Sequence, residues 1–569
     1  MGWFIGISGS NQSLKESVCA LAHHFSFNTE TESLYLLAGG HSETTHFSKA
    51  ESAQSGWVAS GLGISSGENH HVLSHNEWDE SIRKGSDYLH QLNGHFAVAK
   101  WDQKKVELTT DQLGIRNIFL YKGEDFVLFS TRLDWVKKLA PKTSINWGKF
   151  GSRWLAINQF SGASFINEIE RLSQGGHAII DEKGVQISNK RWDFSPQQVT
   201  PEQVKHTLFS FTDLALHKNH PLSIGLSGGI DSRTIFAALL RKPDSNWLLH
   251  TFGNKNHPDV EAAIKLNHYY RRKHHLLFMD MPKAHDLEKL VPEYIGQTML
   301  TATAENLIPL QAYRQIQEHN LAVIDGGLGE IGRRRYLVGL LLKGKKALLE
   351  QNVDEILPHF HNPHADIFTE DINHLMQNGM KEELAVELEA MPKIHEIGLE
   401  NWLDLFSIRT RVLNAGGPEQ SRSDSYFMSY MPFIQPEFIQ NVLSLPAEER
   451  KNAKLFRSVI REHAPKLQKE ALIKGDYSYP YWMKDIGSSV WMRVKQKLGR
   501  KYESSLPVDF LMVMEEYVRD LHASKSAKEY SGYDQQKVDQ LVTGFYDKKN
   551  YDLAHQLNRW LAFEVFRRI

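Results

Sequence analysis

The stretch Leu222-Ser223-Ile224-Gly225-Leu226-Ser227-Gly228-Gly229-Ile230-Asp231-Ser232-Arg233 reads as an apolar strand, a turn of small residues and the start of a helix. Each residue type in the turn has a physical task. Glycine and serine leave room for backbone N–H groups to close on phosphate oxygens, and a helix that follows directly points its positive end at the same anion. Ser227 and Ser232 add hydroxyl donors, and Asp231 is placed to hold the magnesium ion that travels with a triphosphate. Ser-Gly-Gly by itself is often no more than a tight turn. The preceding strand, the Asp-Ser that follows and the helix beyond make the phosphate reading specific. A Walker loop is excluded, because it would need Gly-Lys-Ser/Thr at its end.

Working outward, strands and helices alternate from that stretch onward. A strand is expected over Leu222–Leu226, a helix over Arg233–Arg241, a strand over Leu248–Gly253, a helix over Asp259–Tyr269 and a strand over Ala322–Ile324. That alternation predicts a parallel sheet with helices on its faces. Residues 1–190 differ, with short apolar or alternating runs bounded by Gly, Asn and Asp. Phe96–Trp101, Val106–Thr110, Ile118–Tyr121 and Phe126–Ser130 are examples, and the pattern is one of strands and tight turns. Ser195-Pro196-Gln197-Gln198 reads as a linker before a helix over Glu202–His217, which places a boundary near residue 195. Beyond residue 340 the chain is mostly helical and charged, and no internal repeat is visible.

Ser227 to Ser232 resembles the pyrophosphate-binding loop of the N-type ATP pyrophosphatases, the group that includes asparagine synthetases, β-lactam synthetases and lasso-peptide cyclases. The resemblance implies cleavage of ATP to AMP and pyrophosphate. Leu226, Ser227, Gly228, Gly229, Asp231 and Ser232 would then hold the nucleotide's phosphates. Leu249-His250-Thr251-Phe252-Gly253, with Asp259 and Glu261 after it, is similar to the segment that lines the adenine side, which brings in Thr251. Asp325-Gly326-Gly327-Leu328-Gly329-Glu330-Ile331-Gly332 is similar to the group's second glycine-rich turn, usually Ser-Gly-x-Gly-x-Asp-Glu. Gly326 would add a backbone amide, and Glu330 stands where the group has a metal-binding Asp. Asp231 and Glu330 are thus the expected magnesium ligands. Arg333-Arg334-Arg335 comes next, within reach of a phosphate or carboxylate, although a solvated basic run is the commoner meaning of such a triplet.

Farther on, Pro432-Phe433-Ile434-Gln435 resembles the Pro-Phe-Leu-Asp segment of asparagine synthetases, but the Glu-x-Arg that usually precedes it is Met428-Ser429-Tyr430 here. Leu472-Ile473-Lys474-Gly475-Asp476-Tyr477-Ser478-Tyr479-Pro480 is similar to the loop whose lysine compensates charge during acyl transfer. Lys474 is therefore expected to be catalytic beside Asp231 and Glu330. A fixed ammonium near an acyl-adenylate would stabilise the oxyanion and the departing phosphate. Tyr477, Tyr479, Tyr481 and Trp482 are expected to pack this loop.

The first part of the chain carries a second resemblance. Leu92-Asn93-Gly94-His95-Phe96-Ala97 through Trp101-Asp102, Asp111-Gln112-Leu113-Gly114-Ile115-Arg116 and Arg171-Leu172-Ser173-Gln174-Gly175-Gly176-His177 look like landmarks of class II glutamine amidotransferase domains. Active members present a cysteine directly after the initiator methionine, with its own α-amine as base. Here that place is Gly2, and Cys19 is the one cysteine in the sequence. Glutamine is therefore not expected to be the nitrogen donor. Together the resemblances imply an N-terminal Ntn-type, glutamine-amidotransferase-like α+β sandwich over residues 1–195. A doubly wound parallel-sheet ATP pyrophosphatase domain with a helical C-terminal part would follow over 196–569.

The 66 Lys and Arg against 68 Asp and Glu leave no polyanion-binding footprint, so nucleic acid is not an expected partner. One cysteine excludes an internal disulfide framework and suits a reducing compartment, so a cytoplasmic location is expected. No apolar run reaches the length of a membrane span, and the start reads as a buried strand rather than a signal peptide. His359, His361 and His364 near Asp366 fit no standard zinc spacing and are read as solvated loop residues. His274-His275 is expected to begin a strand. The expected activity is that of an ATP- and Mg2+-dependent, AMP-forming amide ligase. Its partner would be a small-molecule or peptide carboxylate that carries its own amine, with a second copy or biosynthetic partner proteins alongside. An ammonia-dependent enzyme and a silent nucleotide-binding scaffold are the alternatives.

Overall fold

The computed structural model describes residues 2–22, 24–48, 54–67, 69–214, 221–253, 255–475, 477–497 and 506–569. Its first 189 residues build two six-stranded antiparallel sheets. One runs in the order β10 (Ile169–Leu172), β8 (Ile118–Lys122), β9 (Phe126–Ser130), β1 (Trp3–Gly9), β3 (Leu34–Gly39) and β2 (Phe25–Glu30). The other runs β12 (Gly184–Asn189), β11 (Gly176–Asp181), β7 (Val106–Thr110), β6 (Asn93–Trp101), β5 (Gly56–Ile64) and β4 (Thr45–Phe47).

Alternate residues of each strand point to opposite faces, and the burial follows that period. Phe4, Leu36, Ile118 and Phe129 from the first sheet meet Val58, Ala97, Leu108 and Ala178 from the second in one shared core. The residues in between face outward onto helices. Ile5, Ile7 and Leu37 pack with Leu14 and Val18 of α1 (Gln12–Leu21), and Trp57, Phe96 and Val98 pack with Trp78 and Ile82 of α2 (His75–Lys84). Ser74 and Glu77 close a reciprocal capping box at the start of α2. The result is the two-sheet α+β sandwich expected from the sequence.

The change to a parallel sheet falls between β12 and β13. Its order is β15 (His274–Leu277), β14 (Trp247–Phe252), β13 (Leu222–Gly225), β16 (Ala322–Ile324) and β17 (Ser429–Tyr430), with every neighbour parallel. Both faces are covered. Leu248, Val323 and Leu277 pack with Ala312 and Ile316, while Ile224, Leu249 and Ile324 share a core with Ile235 and Phe236. The sheet is therefore doubly wound, and the strand order reverses between β13 and β16. Ligands of open α/β sheets lie in the crevice outside the carboxyl ends of the strands at such a reversal.

Around these sheets lie α3 (Trp147–Leu155), α4 (Pro201–Asp213), α5 (Ile230–Leu239), α6 (Pro258–His268), α7 (Leu310–Glu318), α8 (Glu370–Glu389) and α9 (Leu506–Val513). The helix expected over Glu202–His217 is described to residue 214, and His217 lies outside the described residues. The helix expected from Arg233 starts three residues earlier, so Asp231 and Ser232 belong to its first turn. α3 and α8 cross at glycines, where a Cβ on Gly379 would lie 2.2 Å from Gly148 Cα and one on Gly151 would lie 2.0 Å from the Met376 carbonyl oxygen. That crossing joins the first half to the helical C-terminal part. Among the described residues no helix is long and apolar enough to cross a membrane.

Candidate active site at the strand reversal

The turn after β13 opens at this crevice. The Leu226 amide donates to the His250 carbonyl at 2.9 Å, and Thr251 Oγ1 donates to the Leu226 carbonyl at 2.6 Å, so β13 and β14 fix the turn's first residue. Inside the turn, Ser227 Oγ and Ser232 Oγ lie 3.0 Å apart, and the Gly229 amide donates to Ser227 Oγ at 3.2 Å. The Gly228 amide donates to Asp259 Oδ1 at 2.8 Å. Gly229 is the N-cap of α5 and provides no side-chain cap, so the positive end of that helix is left to the crevice. His250 beneath the turn is buried, bonded to Ser223 Oγ at 2.7 Å, and held neutral, its value pushed down to about 3 first by burial and then by His274 and His275.

A cavity of about 950 Å³ runs from the turn between the strand ends. Leu226, Ser227, Gly229, Asp231, Ser232 and Thr251 line its polar end together with Asp325 and Gly326. Phe252, Met279, Tyr313, Ile316 and, from α9, Met512 and Val513 give it an apolar stretch, with Glu419, Ser429 and Asp509 also on the lining. Most of the residues read from sequence as nucleotide-binding therefore meet around one space. Gly228 is outside the lining, turned toward Asp259 and Ile473.

The second glycine-rich turn, which follows β16, forms the opposite wall. A Cβ on Gly326 would lie 3.3 Å from the Ser232 amide nitrogen, so a larger residue would crowd the start of α5. Asp325 accepts from the Gly327 amide at 2.8 Å, and burial, with Glu419 alongside, pushes its carboxyl up to about 6. Neither Asp325 nor Glu419 was singled out as a site residue from the sequence; both line the cavity.

Asp231 departs from the sequence expectation. Arg333 Nε donates to its Oδ1 at 2.8 Å and Arg333 Nη2 to its Oδ2 at 2.7 Å, a two-pronged pair that occupies both carboxylate oxygens. Glu330 Oε1 lies 3.6 Å from the same Nη2. Asp231 and Glu330 carry the charge and the hard oxygen donors of a divalent-ion site, but a guanidinium already stands between them. This arrangement does not fit direct ligation of Mg2+ by that pair. Among the described residues no group of three or more His, Cys, Asp or Glu could hold a metal, and that includes the histidines at 359, 361 and 364. The arginine triplet is also not a solvated run. Arg334 is buried and donates to Asp404 at 3.1 Å, where Arg450 also donates at 2.6 Å.

Lys474 lies at the end of β18 (Leu472–Lys474), which pairs with β19 (Tyr477–Tyr479), rather than within a turn; Asp476 lies outside the described residues. The hairpin rests on the Ser227–Ser232 turn. The Ile473 amide donates to the Gly228 carbonyl at 2.9 Å, and a Cβ on Gly228 would meet Ile473 Cγ1 at 2.1 Å. Buried Arg233 straps the two together, donating to the carbonyls of Gly228 at 3.0 Å, Leu467 at 3.0 Å, Glu470 at 2.9 Å and Ala471. Lys474 is exposed one residue beyond that contact and does not line the large cavity. Tyr481 is buried under Arg457 at 4.5 Å, as the packing reading expects, whereas Trp482 is exposed. Met428 is buried, and the neighbouring Ser429 on β17 lines the cavity.

The first half offers a contrasting site. Gly2 is buried, its amide donates to Thr44 Oγ1 at 3.2 Å, and a Cβ there would lie 1.8 Å from the Thr44 carbonyl oxygen. The Gly94 amide donates to Gln435 Oε1 at 2.8 Å, and Asn93 accepts from the Glu437 amide at 3.1 Å. His95 and Arg116 both meet the buried Asp424, at 3.0 and 2.5 Å. The segment that looks like an amidotransferase landmark is thus bonded to the second half. Cys19 is exposed on α1.

The family model described as a glutamine amidotransferase domain matches residues 63–138. Among curated proteins the chain is similar to "Putative asparagine synthetase (glutamine-hydrolyzing) 2" of Methanocaldococcus jannaschii, 25% identical over 226 residues. That match covers 37% of this chain and 43% of the relative, so the chain spans less than half the length of the curated relative it matches. Two solved structures align at 10% identity and a TM-score of 0.22. One is described as the allosteric regulatory enzyme of purine biosynthesis (57% of this chain, 74% of that one). The other is glutamine phosphoribosylpyrophosphate amidotransferase from B. subtilis with ADP and GMP (60% and 79%). At that TM-score neither bears on the argument. The amidotransferase match and the archaeal relative support a likeness to the asparagine-synthetase-like glutamine amidotransferases.

Proposed function

We infer that the chain is an ATP-dependent amide ligase of the asparagine-synthetase type. In this reading a substrate carboxylate attacks the α-phosphorus of ATP, pyrophosphate leaves, and an amine from a source other than glutamine displaces AMP from the acyl-adenylate. The observation that carries it is the position of the Ser227–Ser232 turn, at the strand reversal and open to a cavity of about 950 Å³. Ser227, Gly229, Ser232 and the start of α5 would hold the β and γ phosphates, with Gly326 closing the other wall. Leu226 and Thr251 would border the adenosine, and Lys474 would offset charge as the acyl group transfers. Mg2+ would enter with the nucleotide's phosphates. The absence of space for a side chain at Gly2 supports an amine already present in the substrate, as in specialised-metabolite or lasso-peptide biosynthesis. Free ammonia is the alternative donor.

A silent scaffold is favoured by one observation, the self-bonding of the turn through Asp259 and Arg333. Isotope transfer decides between the readings. With an oxygen-18-labelled carboxylate, label in AMP supports adenylation. Formation of ADP with no AMP excludes it, and no cleavage of ATP with any carboxylate favours the scaffold.

A further inference from the structure

The carboxylate that opens α5 is bound by a cation of the chain itself. Asp231 lines the cavity, and Arg333, bonded to it from behind that lining, is 18% exposed against 19% for Asp231, so the pair has little water around it. The turn is shaped to receive it. A Cβ on Gly329 would lie 2.6 Å from Asp231 Cγ, so only glycine leaves the carboxylate its place. On either side Arg333 is anchored: Ile331 is fully buried, Gly332 lies against the Phe456 ring, and Arg334 is tied to Asp404. A planar guanidinium matches a carboxylate through two parallel N–H bonds. Of its five N–H donors the pair with Asp231 uses two, which leaves donors for a second anion. With Glu330 at 3.6 Å, two acids and one guanidinium leave a single net negative charge. A divalent ion added there would stand against a fixed positive group.

Resting on the nucleotide reading of this turn, we propose that Arg333 is the resident cation at the place a divalent ion would take. It holds the nucleotide's phosphates itself, so that binding needs no metal on Asp231 and Glu330. The mechanism then has a charge-neutralising group built into the chain, with Asp231 orienting it.

Two measurements on the full chain test this. The first uses Mn2+ alone, followed by electron paramagnetic resonance without nucleotide. Wild type should show no tight site, Arg333→Met should gain one, and Arg333→Met combined with Asp231→Asn should lose it again. A tight Mn2+ site in the unliganded wild type, or a folded Arg333→Met protein that gains none, overturns the proposal. The wild-type titration decides alone should Arg333→Met fail to fold. The second measures ATP and pyrophosphate binding calorimetrically in Mg2+ and in EDTA. Wild-type affinity should differ by less than about threefold between the two, whereas Arg333→Met should lose at least about tenfold in EDTA and recover in Mg2+. A wild-type loss of about tenfold or more in EDTA overturns it. If neither ligand binds in either condition, the nucleotide reading has failed, and the Mn2+ result still decides the role of Arg333.

Discussion

The surroundings of Gly2 and the turn at Ser227–Ser232 are both places where sequence resemblance points to chemistry, and the fold treats them in opposite ways. At Gly2 the backbone is buried and the space a side chain would need is taken by the Thr44 carbonyl, 1.8 Å from an added Cβ. The Asn93–Gly94 segment, another such landmark in this half, is bonded to Gln435 and Glu437 of the other half. At Ser227–Ser232 the chain stands back from a cavity of about 950 Å³. One half thus leaves no room for a side chain at its second residue, while the other keeps a crevice at its strand reversal.

Four substitutions break or sharpen that contrast, in falling order of expected effect. Asp231→Asn removes the charge that orients Arg333, and carboxylate-dependent ATP–pyrophosphate exchange should fall by at least about 10³-fold, the scale of a lost preorganised electrostatic partner. Retained exchange would mean that the crevice is not the reacting site. Lys474→Ala should lower amide formation by about 10²-fold and exchange by much less, with partial recovery in Lys474→Arg. Equal losses in both would place the ammonium in the first step instead.

Gly2→Cys should give no glutaminase activity and should cost about 1–3 kcal/mol in chemical denaturation, the usual penalty for overfilling a packed site. Ammonia release from glutamine by this variant would show that the site can reopen. The smallest effect concerns Asp325. Its folded-state value of about 6 lies above the ordinary 3.8, so the folded chain holds this proton more tightly than the unfolded chain. Stability that is fully present below pH 3.8 is therefore lost as the pH rises through about 6. Asp325→Asn should melt about 1–3 °C higher than wild type at pH 7.5, with the gap closing toward pH 4. A gap that does not depend on pH would mean that the carboxyl carries no buried charge.

The alternation of strands and helices from residue 222 is visible in the sequence because buried parallel strands are continuous apolar runs and the helices between them are amphipathic. Val106–Thr110, Phe126–Ser130 and Ala322–Ile324 fall where their patterns place them. The start of α5 at Ile230 was less legible, since Asp231 and Ser232 look like turn residues yet also suit the first turn of a helix. Contacts between distant residues left no local mark. Arg333 is one of three consecutive arginines, and only the folded chain brings it, rather than its neighbours, to Asp231. Asp259 was visible as a landmark, but its bond to the Gly228 amide was not. Asp325 and Glu419 come together only because the end of β16 and the first turn of the helix over Gly417–Ser423 reach the same cavity.

The network around Asp424 has a practical consequence for anyone dividing this chain. His95 and Arg116 from the first half both bond a carboxylate of the second that is fully buried in the whole chain. A fragment beginning near residue 195 would take both cationic partners from that carboxylate and open the surface they cover. The first half thus completes the charge pairing of its neighbour, and the two are best expressed and engineered as one piece.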